Sequence, residues 1–226
     1  MITCGTQIVS GAPVYGSGGV PTYTSVPTAS GWTTGGTGGT VTQGATLALT
    51  ITAGQYGVVT DAYVPRATRA TTAGPRKRLR GRVASLVTQG SPDITLVWVG
   101  FGTASGPGYG PAVLALVRGD GLVELAALDS SGALLSTIAQ SSVGALPLDG
   151  TGWIELSDAG GLVSLCYGTG TSSTPPADDA WTSLAGYAAA ASTRGARAAI
   201  FAMLTQWTNQ GAQAASIADL AVQVIP

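Results

Sequence analysis

The feature that most constrains this chain is a train of short apolar runs of period two, cut at regular intervals by glycine, proline and aspartate turns. Successive side chains of a strand point to opposite faces, so such alternation marks a half-buried strand. Leu47, Leu49 and Ile51 alternate with Ala48 and Thr50. Residues 58–64 form a second run, stopped at Pro65. Residues 79–87 put Leu79, Val83 and Val87 on one face and Arg78, Arg80 and Arg82 on the other. Residues 94–101, ITLVWVGF, are almost continuously apolar, as a central strand buried on both faces requires. Runs at 113–117 and 122–128 flank Gly119-Asp120-Gly121, where Asp-Gly favours a tight primed turn. The run at 134–139 continues the meander, and 153–156 pairs with 162–167 across Asp158-Ala159-Gly160-Gly161. Runs at 198–204 and 217–224 close the set. The alanine-rich stretch 184–191 has helix propensity, but Gly186 and Gly195 interrupt it, so a short helix at most is expected there. About ten to twelve short strands at this spacing predict an all-β chain folded as an antiparallel β-sandwich.

At 226 residues the chain is long enough for one sandwich domain. Its 45% hydrophobic content excludes a disordered chain. Only 9% of the residues are charged, against about a quarter in ordinary domains. Two surfaces fit so little charge: one covered by partners in an assembly, where charge must be desolvated, or that of a secreted domain from an Ala- and Thr-rich source. The net charge of -1 argues against nucleic acid as a partner. No apolar run reaches the 18 or so residues of a membrane span. Met1-Ile2-Thr3-Cys4-Gly5 has neither a basic nor an apolar leader region, so no signal peptide is expected. Residues 1–40 are rich in Gly, Ser, Thr and Pro and are expected to form an extended N-terminal arm, either a flexible leader or an arm ordered against a neighbouring subunit with Tyr23 and Trp32 as anchors. Residues 41–226 are then the sandwich.

The chain has no histidine, which excludes Ser-His-Asp and Cys-His nucleophiles and imidazole metal sites. No phosphate-cradling or dinucleotide-binding glycine pattern occurs. Glycoside hydrolysis needs two carboxylates at a set separation, and the only glutamates, Glu124 and Glu155, stand singly in mid-strand. Asp120, Asp129, Asp149 and Asp158 read as turn residues that cap their own backbone. An enzyme is therefore not expected, nor any cofactor beyond calcium, for which Asp178-Asp179 and Asp149 are the candidates. Cys166, in an apolar strand, is expected to be a small buried hydrophobe, with a bond to Cys4 as the alternative.

Two groups of residues are candidates for binding. In an extended run Arg76, Arg78, Arg80 and Arg82 point the same way, and four guanidinium groups in a row need anions or a solvated edge. They form either a stripe that binds acidic groups of a partner subunit or an anionic glycan, or an edge strand guarded by charge. Trp181, Tyr187, Trp207 and Asn209 lie in or beside loops, where aromatic rings stack on sugars or seal the end of a sandwich. Trp98 and Trp153 fall in strands and are expected in the core.

Some of these segments resemble the concanavalin A-like (laminin G-like) jelly roll. Trp153-Ile154-Glu155-Leu156, Gly160-Gly161 and residues 162–167 are similar to its recurrent hairpin, and residues 216–224 to its closing strand. Gly31-Trp32, followed by Leu47-Ala48-Leu49, resembles the start of such domains in minor tail or fibre proteins of actinobacterial phages. The resemblance implies a lectin-like jelly roll located in a virion, in the tail tip, fibre or head decoration. Its partners would be other virion proteins, a cell-surface glycan and further copies of itself, a trimer being the commonest form. A carbohydrate-binding lectin domain of a secreted or surface protein is the alternative. The catalytic E-x-D-x-x-E of related glucanases is absent, and no calcium-holding Asp and Asn set matches residue by residue.

Overall fold

The computed structural model describes residues 22–52, 63–71, 76–92, 95–102, 112–129, 131, 134–159, 162–187, 199–206 and 211–224. These residues contain strands and turns and no α-helix, in two antiparallel sheets. The strands in chain order are β1 (Thr24–Ser25), β2 (Thr33–Gly35), β3 (Gly39–Gln43), β4 (Leu47–Ile51), β5 (Arg66–Ala70), β6 (Arg76–Val87), β7 (Thr95–Gly102) and β8 (Ala112–Arg118). They continue as β9 (Val123–Leu128), β10 (Leu134–Gln140), β11 (Gly152–Ala159), β12 (Leu162–Thr169), β13 (Thr182–Tyr187), β14 (Ala199–Gln206) and β15 (Gln213–Val224). The first sheet runs β13-β12-β11-β6-β15-β4-β3, and β1 pairs with the far end of β15, beyond β4. The second runs β10-β9-β8-β7-β14-β5-β2. Among the described residues no helix is long and apolar enough to cross a membrane.

The period-two pattern is what makes the sandwich. Leu47, Leu49, Leu79, Val83, Ile154, Leu156, Val163 and Leu165 of the first sheet meet Val97, Val99, Val113, Ala115, Ile200 and Ala202 of the second in one core. Each such side chain contributes about 1.5–3 kcal/mol when removed from water. The opposite face of the second sheet is also buried, through Leu96, Trp98, Leu114, Leu116, Phe201 and Met203. That explains the unbroken apolar run of β7, which is buried along its whole length as expected. Trp98 belongs to this second cluster, and its Nε1 donates to Thr205 Oγ1 at 2.7 Å.

Several expectations need correction. The strand carrying the arginines, β6, is no charge-guarded edge; it lies between β11 and β15 near the middle of its sheet. No helix starts at Leu184, because residues 182–187 pair with β12 as strand β13. The turn at Gly119-Asp120-Gly121 is not the primed two-residue form. Gly121 N–H donates to Arg118 O, Arg118 N–H to Leu122 O, and only Gly121 has positive φ, at 78°. That is the three-residue loop with a left-handed glycine. Asp158 is not a turn residue but a strand residue, 1% exposed, in register with Lys77 at 0%. Residues 24–35, within the stretch expected as an arm, supply β1 and β2 to the two sheets.

Candidate functional site

The site is built on the outer face of the first sheet. Leu79 and Val83 point into the core, so Arg78, Arg80 and Arg82 point away from it. On β11 the core residues Ile154 and Leu156 send Trp153, Glu155 and Ser157 outward in the same way. The register then sets Arg82 beside Trp153, Arg80 beside Glu155 and Arg78 beside Ser157. On the next strand Cys166 is the register partner of Glu155.

Glu155 is the centre of the group and only 2% exposed. Its Oε2 accepts two hydrogen bonds from Arg80, from Nε at 2.9 Å and Nη2 at 2.6 Å. Its Oε1 stands 3.9 Å from Arg78 Nη1. Arg82 turns to the neighbouring strand, where its Nε donates to Asp219 Oδ2 at 2.7 Å. Asp219 has φ 52°, at the bulge where the register of β15 shifts between Ala218 and Ala221. Aspartate tolerates that left-handed conformation, and the bulge aims its carboxylate at Arg82.

Two rings flank Arg80. Tyr23, just before β1, lies with its ring centroid 4.2 Å from the guanidinium carbon, and Trp181, just before β13, lies at 5.5 Å. Both distances fall within cation–π range. Burial pushes the Tyr23 phenol well above its ordinary pKa, and the Glu155 carboxylate adds to the rise, so the hydroxyl stays protonated. It faces that carboxylate closely enough to be repelled on ionising, yet makes no hydrogen bond of acceptable geometry. Arg78 Nε and Trp181 Nε1 are likewise buried without a hydrogen-bond partner. Two unused donors and a phenol with only a poorly aligned bond to Glu155 thus surround one ion pair. Buried donors are normally satisfied, and each orphan costs about 1–3 kcal/mol.

The structure therefore brings Trp181 and the arginine stripe, which the sequence offered as separate candidates, into one group. Arg76 and Tyr187 are placed only as the first residue of β6 and the last of β13. Trp207 and Asn209 lie outside the described residues. Sequence reasoning missed Tyr23 as a site residue and Glu155 as the acid of the stripe. One signal pointed to Glu155: a row of outward arginines needs an acid on an adjacent strand, and between Ile154 and Leu156 this glutamate faces outward.

The remaining acids have structural uses. Glu124 lies between the inward Val123 and Leu125, so it faces outward from the second sheet, where Thr137 Oγ1 donates to it at 3.2 Å. Glu124 and Glu155 thus sit on opposite outer faces of the sandwich, too far apart to act on one glycosidic bond. Asp149 Oδ1 accepts from the N–H of Thr151 at 3.0 Å and from its hydroxyl at 2.5 Å. Asp129 Oδ1 does the same for Ser131, at 2.8 and 2.6 Å. Among the described residues no three acids or cysteines converge as a metal site. Cys166 is 1% exposed and disulfide-bonded rather than a free thiol. The only other cysteine of the sequence, Cys4, lies outside the described residues. A hollow of about 380 Å³ between β1 and β5 has Arg69 as its one charged lining residue. Arg69 already donates to the carbonyls of Ser30 and Pro27.

No family model matches the sequence, and no curated protein matches it. Solved structures do match the fold. Lectin II from Ulex europaeus superposes with a TM-score of 0.55 at 8% identity, over 88% of this chain and 94% of the lectin. Arcelin-5, a lectin-like defence protein from Phaseolus vulgaris, gives 0.53 at 8%, over 90% and 98%. Alginate lyase A1-II', of polysaccharide lyase family 7, gives 0.51 at 11%, over 80% and 81%. At such identities the likeness is one of fold: this chain is a concanavalin-like jelly-roll sandwich, the architecture of those lectins and of that lyase.

Proposed function

We propose that this chain is a carbohydrate-binding domain that holds a sugar at the Arg80–Glu155 group on the outer face of the first sheet. The observation that carries the reading is the set of buried donors left unused beside two aromatic rings. Sugar hydroxyls accept hydrogen bonds, and the apolar faces of sugar rings pack on aromatic rings. The fold supports the reading, since a lectin from Bauhinia forficata with the same sandwich was solved with GalNAc, at a TM-score of 0.53 and 10% identity. The test is a glycan array followed by titration calorimetry, with and without calcium, on the wild type and Trp181→Phe. Trp181→Phe keeps an aromatic face, though a smaller one, and removes the N–H. We expect sugar binding that the variant weakens about 3- to 10-fold, the effect of about one hydrogen bond. An empty array in both conditions sinks the proposal. The arm with calcium is retained because Asp178 and Asp179 stand together in the exposed turn before Trp181.

A place in a virion is a second proposal, resting on the charged content of 9% and on the jelly-roll body. Co-sedimentation with purified particles, and solution mass with and without residues 1–40, tests it. A monomer that binds no virion component rejects it.

A further inference from the structure

Resting on that reading of the site, we infer that the sugar bound there is acidic and that its carboxylate or sulfate docks on Arg78 beside Tyr23 and Trp181. Among the described residues, three cations, Arg78, Arg80 and Arg82, share this face with two acids, Glu155 and Asp219. Arg80 takes Glu155 as a two-pronged partner and Arg82 takes Asp219, so the cation in excess is Arg78. Its side chain is 6% exposed, its one ion pair is the long 3.9 Å approach to Glu155, and its Nε has no acceptor. A guanidinium removed from water in this way is unfavourable until an anion supplies the acceptors it lost. Arginine is also the side chain whose planar fork best fits a carboxylate or sulfate.

The other two orphans point to the same ligand. The Trp181 Nε1 finds no acceptor in the protein, and the Tyr23 hydroxyl, held protonated, has only a poorly aligned hydrogen bond to the Glu155 carboxylate. Two groups that can only donate, Arg78 Nε and Trp181 Nε1, beside a phenol held protonated describe a receptor for an acceptor-rich, negatively charged group. A neutral sugar also offers acceptors but brings no charge for Arg78. The group reaches the surface through Tyr23 and Trp181, which are half-buried, and Arg80, which keeps 16% exposure.

The test compares oligogalacturonate and chondroitin sulfate with neutral cello- and manno-oligosaccharides by titration calorimetry at low and moderate salt. The acidic oligosaccharides are expected to bind at least 10-fold more tightly than neutral ones, with affinity falling as salt rises. Arg78→Met is expected to abolish that preference. Because Arg78→Met also changes the buried charge balance, Tyr23→Phe is the decisive variant. It removes one hydroxyl whose hydrogen bond to Glu155 is poorly aligned, so the free protein should melt within a few degrees of the wild type. Its affinity for the acidic oligosaccharide should nonetheless fall at least 3-fold. Neutral sugars binding as well as acidic ones, or Tyr23→Phe binding as tightly as the wild type, overturns the acidic assignment and leaves the carbohydrate reading standing. Binding of neither class removes both.

Discussion

Glu155 stands between two guanidinium groups, and its removal leaves both of them buried without an acid. Breaking one partner of a buried pair costs about 3–5 kcal/mol, because the uncompensated charge stays behind. Glu155→Gln should therefore lower the urea-unfolding free energy by about 3 kcal/mol. The triple variant Arg78→Met, Arg80→Met, Glu155→Leu should recover most of that loss, since an apolar group of similar size avoids the desolvation and leaves no guanidinium without an acid. A Glu155→Gln protein as stable as the wild type would show that the pair is solvated in solution. Asp120 offers a milder case. Its partial burial works against the charge, but the Arg118 guanidinium and the Leu122 N–H outweigh that and hold its carboxyl below the ordinary 3.8. A depressed folded pKa gives stability that is present above the unfolded value and is lost as pH falls through the folded one. Asp120→Asn should thus cost about 1 kcal/mol at pH 7, and the gap to wild type should narrow as pH falls below about 4. A gap that stays constant from pH 7 to 3 contradicts the assignment. At this scale the sequence revealed which way each side chain faces, because Arg78, Arg80 and Glu155 alternate with Leu79, Ile154 and Leu156. It did not reveal burial. An outward glutamate looks the same in the chain whether water or Arg80 meets it.

Strands were legible as strands wherever alternation or an unbroken apolar run marked them, as in β4 and β7. Their order in the sheet was not. The partners of β6 are β11 and β15, whose pairing residues lie far along the chain, so nothing local distinguished a central arginine strand from an edge. The same long-range pairing decides what the glycines do. On β7, a Cβ at Gly100 would sit 2.3 Å from Val113 O and 2.8 Å from Leu114 Cα on the adjoining strand β8. Gly100→Ala must force those strands apart and should destabilise by about 1–3 kcal/mol, as overpacking does. Gly44→Ala is the control, since its nearest contact would be Thr46 O at 3.9 Å. Thermal melts of the two variants should separate by several degrees, and equal melts would mean that β7 and β8 are not in this register. Leu184 and Ala185 carry a related lesson, since their helix preference amounts to tenths of a kcal/mol per residue and pairing of β13 with β12 overrides it.

Across the whole molecule, charge is scarce and concentrated. With 9% charged residues, the chain still places three arginines and two acids on the outer face of one sheet, while the middle strands of the other sheet are buried on both faces. Cys166 occupies the same outward row as Glu155 and Arg80, and it is disulfide-bonded. A bond from Cys166 to Cys4, the other cysteine of the sequence, would close a loop spanning most of the chain and anchor it on the row that carries the ion pair. Such a cross-link acts mainly by restricting the unfolded chain, and a native one typically contributes about 2–4 kcal/mol. Peptide mapping without reductant should recover a fragment joining Cys4 to Cys166. Cys166→Ser should lower the thermal midpoint by several degrees, and added reductant should lower the wild type and leave the variant unmoved. Disulfides persist in oxidising surroundings, so a bond that survives purification also favours a domain that works outside the reducing cytoplasm. A wild type that melts at one temperature with and without reductant, and yields no joined fragment, would remove both the cross-link and that argument. The anchoring makes one further demand. If the same row holds the acidic sugar, Cys166→Ser should change the affinity for oligogalacturonate as well as the melting temperature, whereas Gly100→Ala, on the other sheet, should change only the melting temperature.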